Sequence, residues 1–191
     1  MPVLSTRTQL LVGLALAALL AMTRGQHFAS VDHLPSASWA VFFLAGLLLR
    51  SRGAFAVLFL EAVALDFAAL WSGAVSDWCL SPAYWLLVPA YGALWFGGRL
   101  CAARPARGLT RLALLAATLL VSAFLAHLIS SGGFYFFSGR YPEPTLAAFV
   151  ERIGWYFPRS LANLALYVSL AAILQLGLSA LFKAPSQQAA R

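Results

Sequence analysis

Two cysteines, three histidines and two acids embedded in apolar sequence are the residues of this 191-residue chain best equipped for chemistry. Cys79 stands in Ser76-Asp77-Trp78-Cys79-Leu80-Ser81-Pro82, directly behind an acid and an indole. As a thiolate it is a soft donor suited to a transition metal; the plainer reading is a small buried apolar residue. Cys101 forms no CxxC pair with it, so neither a disulfide framework nor a zinc cluster is indicated. His27, His33 and His127 are either metal ligands or ordinary loop and interface histidines. Glu61 and Asp66 lie inside one apolar run, where acids are costly and often functional. Asp66 is placed to hydrogen-bond a ligand amide and Glu61 to pair with a neighbouring helix. The plainer reading for both, as for Asn163 and Gln175, is a hydrogen bond between helices. Hydrolase and nucleotide-binding motifs are absent.

The elements that carry these residues follow from composition. Hydrophobic residues make up 62% of the chain and charged residues 10%, against about 25% charged in a soluble domain. Too few charges exist to clothe a water-exposed surface. A span takes about 20 apolar residues, so the length fits an all-α membrane protein with six transmembrane helices in one domain, 1–191. The runs predict spans at roughly 8–24, 36–50, 53–71, 82–100, 111–131 and 155–182. The first, behind Arg7, has the make-up of a signal peptide as well as of a span, and is taken as a retained span. The second is short. Reading 36–71 as one helix would bury Arg50 and Arg52 in mid-membrane, so a tight hairpin is expected there. Pro89 predicts a kink in the fourth span. Gly132-Gly133 and Pro142-Glu143-Pro144 predict breaks before a short amphipathic piece at 146–153.

Charge orients the bundle. Six spans put Arg7, Arg50, Arg52, Arg99, Arg104, Arg107, Arg111, Lys183 and Arg191 on one side, nine cations and no acid. The other side has four cations, Arg24, Arg140, Arg152 and Arg159, against four acids, Asp32, Asp77, Glu143 and Glu151. The positive-inside rule places both termini in the cytoplasm and assigns the net charge of +7 to the membrane rather than to nucleic acid. Cys79, His27 and His33 then lie on outward loops. The two cysteines are separated by the fourth span, ~25–30 Å at 1.5 Å per residue, whereas a disulfide needs Cα atoms within ~7 Å. They do not pair, and Cys79 is a lone thiol on an oxidising face. Gly13, Ala17 and Ala21 form a small-residue stripe on the first helix, suited to close helix approach inside the chain or with a partner.

Six short helices, cytoplasmic termini, the small-residue stripe and three outward loops resemble the substrate-binding S-component of energy-coupling factor (ECF) vitamin transporters. The Asp77-Trp78-Cys79-Leu80-Ser81-Pro82 stretch and the His27 loop are similar to the BtuM family of cobalamin-specific S-components, over nearly the whole chain. The resemblance implies transport of cobalamin (vitamin B12) across a bacterial cytoplasmic membrane, from an outward cavity, with Cys79 as axial thiolate to cobalt. It implies no enzyme activity beyond ligand exchange or reduction at the bound cobalt. His27, Asp77, Trp78, Tyr84 and Trp85 would lie at the cavity. Ala17 and Ala21 would meet a scaffold subunit and its ATPases, although some members are thought to act alone. Aromatics of the 133–137 run would cover the corrin face, and Asp77, Arg140 or Arg152 its amide rim. Cobalamin is the transported ligand; no resident cofactor is implied. The alternative from another class is a membrane enzyme or metal-ion carrier using the outward Cys and His residues, and a third is a scaffold without ligand.

Overall fold

A computed structural model describes residues 5–24, 34–73 and 81–183, with side chains up to residue 177. The described residues are helical throughout, without strands: α1 (Thr6–Thr23), α2 (Ser38–Leu48), α3 (Gly53–Trp71), α4 (Leu87–Ala103), α5 (Gly108–His127), α6 (Gly133–Phe137) and α7 (Leu146–Lys183). A 3-10 turn, Pro82–Leu86, leads into α4, and a π turn, Leu128–Gly132, joins α5 to α6. Among the described residues, five helical segments are long and apolar enough to cross a membrane, and α2 is a shorter apolar helix. The chain is a multi-pass membrane protein.

The short α2 is the centre of the bundle. Eight of its 11 residues are buried, so the neighbouring helices, not lipid, satisfy its surface. Eleven residues rise only ~16 Å, yet the segment covers the height of α1 by extending at both ends. Before it, the Ala37 N–H donates to Thr23 Oγ1 (3.1 Å) at the end of α1. After it, the Arg50 N–H donates to Gln9 Oε1 (2.9 Å) near the start of α1. The hairpin with α3 at Arg50–Arg52 follows as the sequence predicts. Glycine lets α2 and α4 touch backbone to backbone: a Cβ on Gly46 would strike the Trp95 carbonyl, and one on Gly98 the Phe43 carbonyl. Small residues at a helix crossing serve this purpose where lipid offers no hydrophobic drive. Around that seam Phe42 stacks on Tyr91 at 4.3 Å between centroids, and Phe55 meets Trp95 edge-on at 5.8 Å.

Pro89 falls in the first turn of α4, where the 3-10 turn passes into α-helix within one helical run, Pro82–Ala103. Two details depart from the sequence expectations. Gly132 and Gly133 do not break the chain; they lie in the continuous π-to-α run because a Cβ would meet Phe149 at the first and Leu86 at the second. The amphipathic piece and the last span are one helix of 38 residues with Pro158 inside it. Thr145 caps it, its Oγ1 accepting from the Ala148 N–H (3.3 Å). The single Gly154 costs only about 1 kcal/mol in a helix, too little to divide one so long.

The contacts sort the helix ends into two levels. Gln9, Arg50 and Arg99 meet at one end, where Arg99 Nη2 donates to the Arg50 carbonyl (2.9 Å). This is the basic end of the bundle. Cys101 lies near it, fully buried and free, and Arg111 Nη1 donates to its carbonyl. The end of α1, the start of α2, the end of α3 and the start of α4 meet at the opposite, far end.

Candidate functional site: the far end of the bundle

The far end is organised around one arginine. Arg24 caps α1 and is 8% exposed, folded inward between four helices. Its Nε donates to Asp66 Oδ1 (2.8 Å) and its Nη2 to Asp66 Oδ2 (2.6 Å), a fork-to-fork pair. Nη1 donates to Ser38 Oγ (3.0 Å) and to the Tyr91 hydroxyl oxygen (2.7 Å). The guanidinium also lies 5.6 Å from the centroid of the Tyr91 ring. Tyr84 completes the carboxylate shell, its hydroxyl donating to Asp66 Oδ2 (2.7 Å). α1, α2, α3, the 3-10 turn and α4 are therefore tied through one ion pair. Burying two charges is costly unless each is paired and hydrogen-bonded; here Arg24 uses four donor contacts and Asp66 accepts three. Thr23 reinforces the joint by donating to the Leu19 carbonyl (2.7 Å) while accepting from Ala37.

This network revises the reading of Asp66. Its carboxylate is committed to Arg24 and Tyr84, an architectural task, rather than held open for a ligand amide. The signal was present in the sequence: opposite charges close the first run and nearly close the third, which places them at one depth. Glu61, in the same helix, makes no hydrogen bond or ion pair among the described residues, so the interhelical partner expected for it is not found there.

Tyr84 and Trp85 sit together on the 3-10 turn that Pro82 opens, with rings edge-to-face at 6.0 Å. Tyr84 is half-buried under its bond to Asp66, while Trp85 is 63% exposed. Cys79, His27, Asp77 and Trp78 lie outside the described residues, as does His33. His127 is buried: its ring meets Trp39 edge-on at 6.3 Å and Phe157 at 5.4 Å, with Ser131 Oγ 3.3 Å from Nδ1. It serves packing between α2, α5 and α7. Among the described residues no three His, Cys, Asp or Glu side chains converge as a metal site.

A second aromatic cluster caps the same molecule at α6 and the start of α7. Arg152 donates to the Tyr141 hydroxyl oxygen (2.8 Å) and lies 5.3, 4.9 and 5.2 Å from the centroids of Tyr135, Tyr141 and Tyr156. Tyr135 is buried and stacks on Phe149. Most of the 133–137 run is thus packed on itself, and Phe137, 70% exposed, is the ring left outward. Arg152 stands among three tyrosine rings, a cation–π arrangement.

On α1, Leu16, Leu20 and Thr23 face the core, whereas Leu10, Leu11 and Leu14 are exposed. Gly13, Ala17 and Ala21 are half-buried on the flank between these faces, with Ala17 against the core. No family model matches the chain, and no curated protein matches it.

Proposed function

We propose that this chain is a transport protein that binds cobalamin at the far, outward end of its bundle and carries it into the cell, with the Cys79 thiolate on cobalt. The observation that carries the reading is the pairing of a braced far end with the segment that holds Cys79. The Arg24–Asp66 network fixes Tyr84 and the 3-10 turn, and that turn begins just after Cys79 in the chain. Exposed Trp85 and Phe137 supply apolar rings for the corrin face. A soft thiolate suits cobalt, and coordination favours the ionised thiol. His27, Asp77 and Trp78 complete the proposed binding set.

The basic end, facing the cytoplasm by its charge, would carry both termini. The half-buried flank of α1 with Ala17 and Ala21 is the proposed seat for an ECF scaffold subunit, because only small side chains there allow another helix close. Purified protein incubated with cyanocobalamin should retain a coloured corrin. Its visible spectrum should shift in Cys79→Ser, which replaces the soft donor by a hard, un-ionised one, and remain unchanged in Cys101→Ser. A colourless protein after incubation would overturn the cobalamin reading. An unchanged Cys79→Ser spectrum would overturn the thiolate alone.

A further inference from the structure

Between α3 and α4, near the basic end, runs an open groove of about 1240 Å³. Arg50, Arg52 and Arg99 stand at its mouth, and Phe55, Val88 and Phe96 line its walls. Gly92 leaves it wide: a Cβ there would meet nothing within 4 Å. Phe96 is 67% exposed and Val88 37%, so the apolar wall is uncovered by the protein itself.

Two observations identify the occupant. The first is depth. From Arg99 to Val88 the helix rises ~16 Å, about one leaflet of a hydrocarbon core ~30 Å thick. The arginines therefore stand at headgroup level and the walls at acyl-chain level. The second is charge. Among the described residues neither Arg50 nor Arg52 has an ion-pair partner, and the basic side of the chain carries no acid. Arg99 is held at the mouth by the Arg50 carbonyl and by the Trp95 ring, 5.2 Å from its centroid. The first turn of α3 adds unpaired backbone N–H groups at the same place, with no acid and no side-chain cap. Guanidinium groups match phosphate in geometry as well as in charge.

We propose that this groove holds one anionic phospholipid, its phosphate at Arg50, Arg52 and Arg99 and one acyl chain along Phe55, Val88 and Phe96. The site is separate from the far end and does not depend on cobalamin. The test is native mass spectrometry of the full chain in detergent, offered equal amounts of phosphatidylglycerol and phosphatidylcholine with identical chains. Phosphatidylglycerol should be retained preferentially, and the preference should fall roughly five-fold for each arginine removed in Arg50→Gln and Arg52→Gln. Gly92→Leu, whose Cβ would meet nothing within 4 Å and whose side chain would extend into the groove, should lower phosphatidylglycerol retention as well. Equal retention of the two lipids would overturn the proposal, as would unchanged retention in Gly92→Leu. Loss of the preference in excess glycerol 3-phosphate would reduce the site to an anion site and overturn the lipid claim. A dimer abolished by Gly92→Leu would make the occupant a second copy of the chain instead.

Discussion

The two ends of the bundle use arginine in opposite ways. At the far end Arg24 is buried and every contact it makes is internal, to Asp66, Ser38 and Tyr91. At the basic end Arg50 and Arg52 are exposed, and no acid of the described residues pairs with them. A buried charge with a complete set of partners fixes the positions of helices. An exposed charge beside an open apolar groove fixes no helix, and on the lipid proposal it holds affinity for something outside the chain. Residue type alone does not separate the two roles; depth and partners do.

The largest effect should come from unpairing the far end. Asp66→Asn leaves the buried Arg24 uncompensated, at a cost of about 3–5 kcal/mol, and Arg24→Gln costs less because the Asp66 it strands is 25% exposed. Unfolding of the detergent-solubilised protein should show it, and the double variant should cost much less than the sum of the two. Additive losses would mean that the two residues do not act as a pair. Next comes the seam that lets the network's helices meet. Gly98→Val drives a side chain into the Phe43 carbonyl, and overpacking of this kind costs about 1–3 kcal/mol; an unaltered melting temperature would contradict the close crossing of α2 and α4. Tyr84→Phe removes one of three bonds to Asp66, for a loss of about 1 kcal/mol. A loss equal to that of Asp66→Asn would show Tyr84 to be essential to the pair rather than an addition to it. Smallest of all, Arg50→Gln with Arg52→Gln should change stability by no more than about 0.5 kcal/mol, as expected of exposed cations, while altering lipid retention. A large loss of stability would erase the contrast between the two ends.

Much of this was legible in the sequence because bilayer physics is strict about length and charge. The Arg50–Arg52 hairpin, the helical class and the boundaries of α1 and α3 follow from apolar run length and the cost of a mid-membrane arginine. The joining of 146–183 into α7 was not legible, because the amphipathic piece at 146–153 and the apolar run from 155 differ in polarity, and a change of polarity does not end a helix. Gly132 and Gly133 read as breakers: glycine permits a turn, but here it permits a close neighbour. At the far end, Tyr84 and Trp85 entered through the resemblance, as residues near the cavity it implies, whereas the partnership of Arg24 with Asp66 required knowing that two spans end at one level. Arg152 showed its charge in the sequence but not the three rings that enclose it.

The visible absorption spectrum of cyanocobalamin bound to the purified protein tests the proposal that the Cys79 thiolate holds the cobalt of a corrin. Thiolate coordination predicts a spectrum distinct from that of free cyanocobalamin, abolished by Cys79→Ser and unaffected by Cys101→Ser, whose thiol is buried near the opposite end. A bound corrin with the same spectrum in native protein and in Cys79→Ser would contradict the claim.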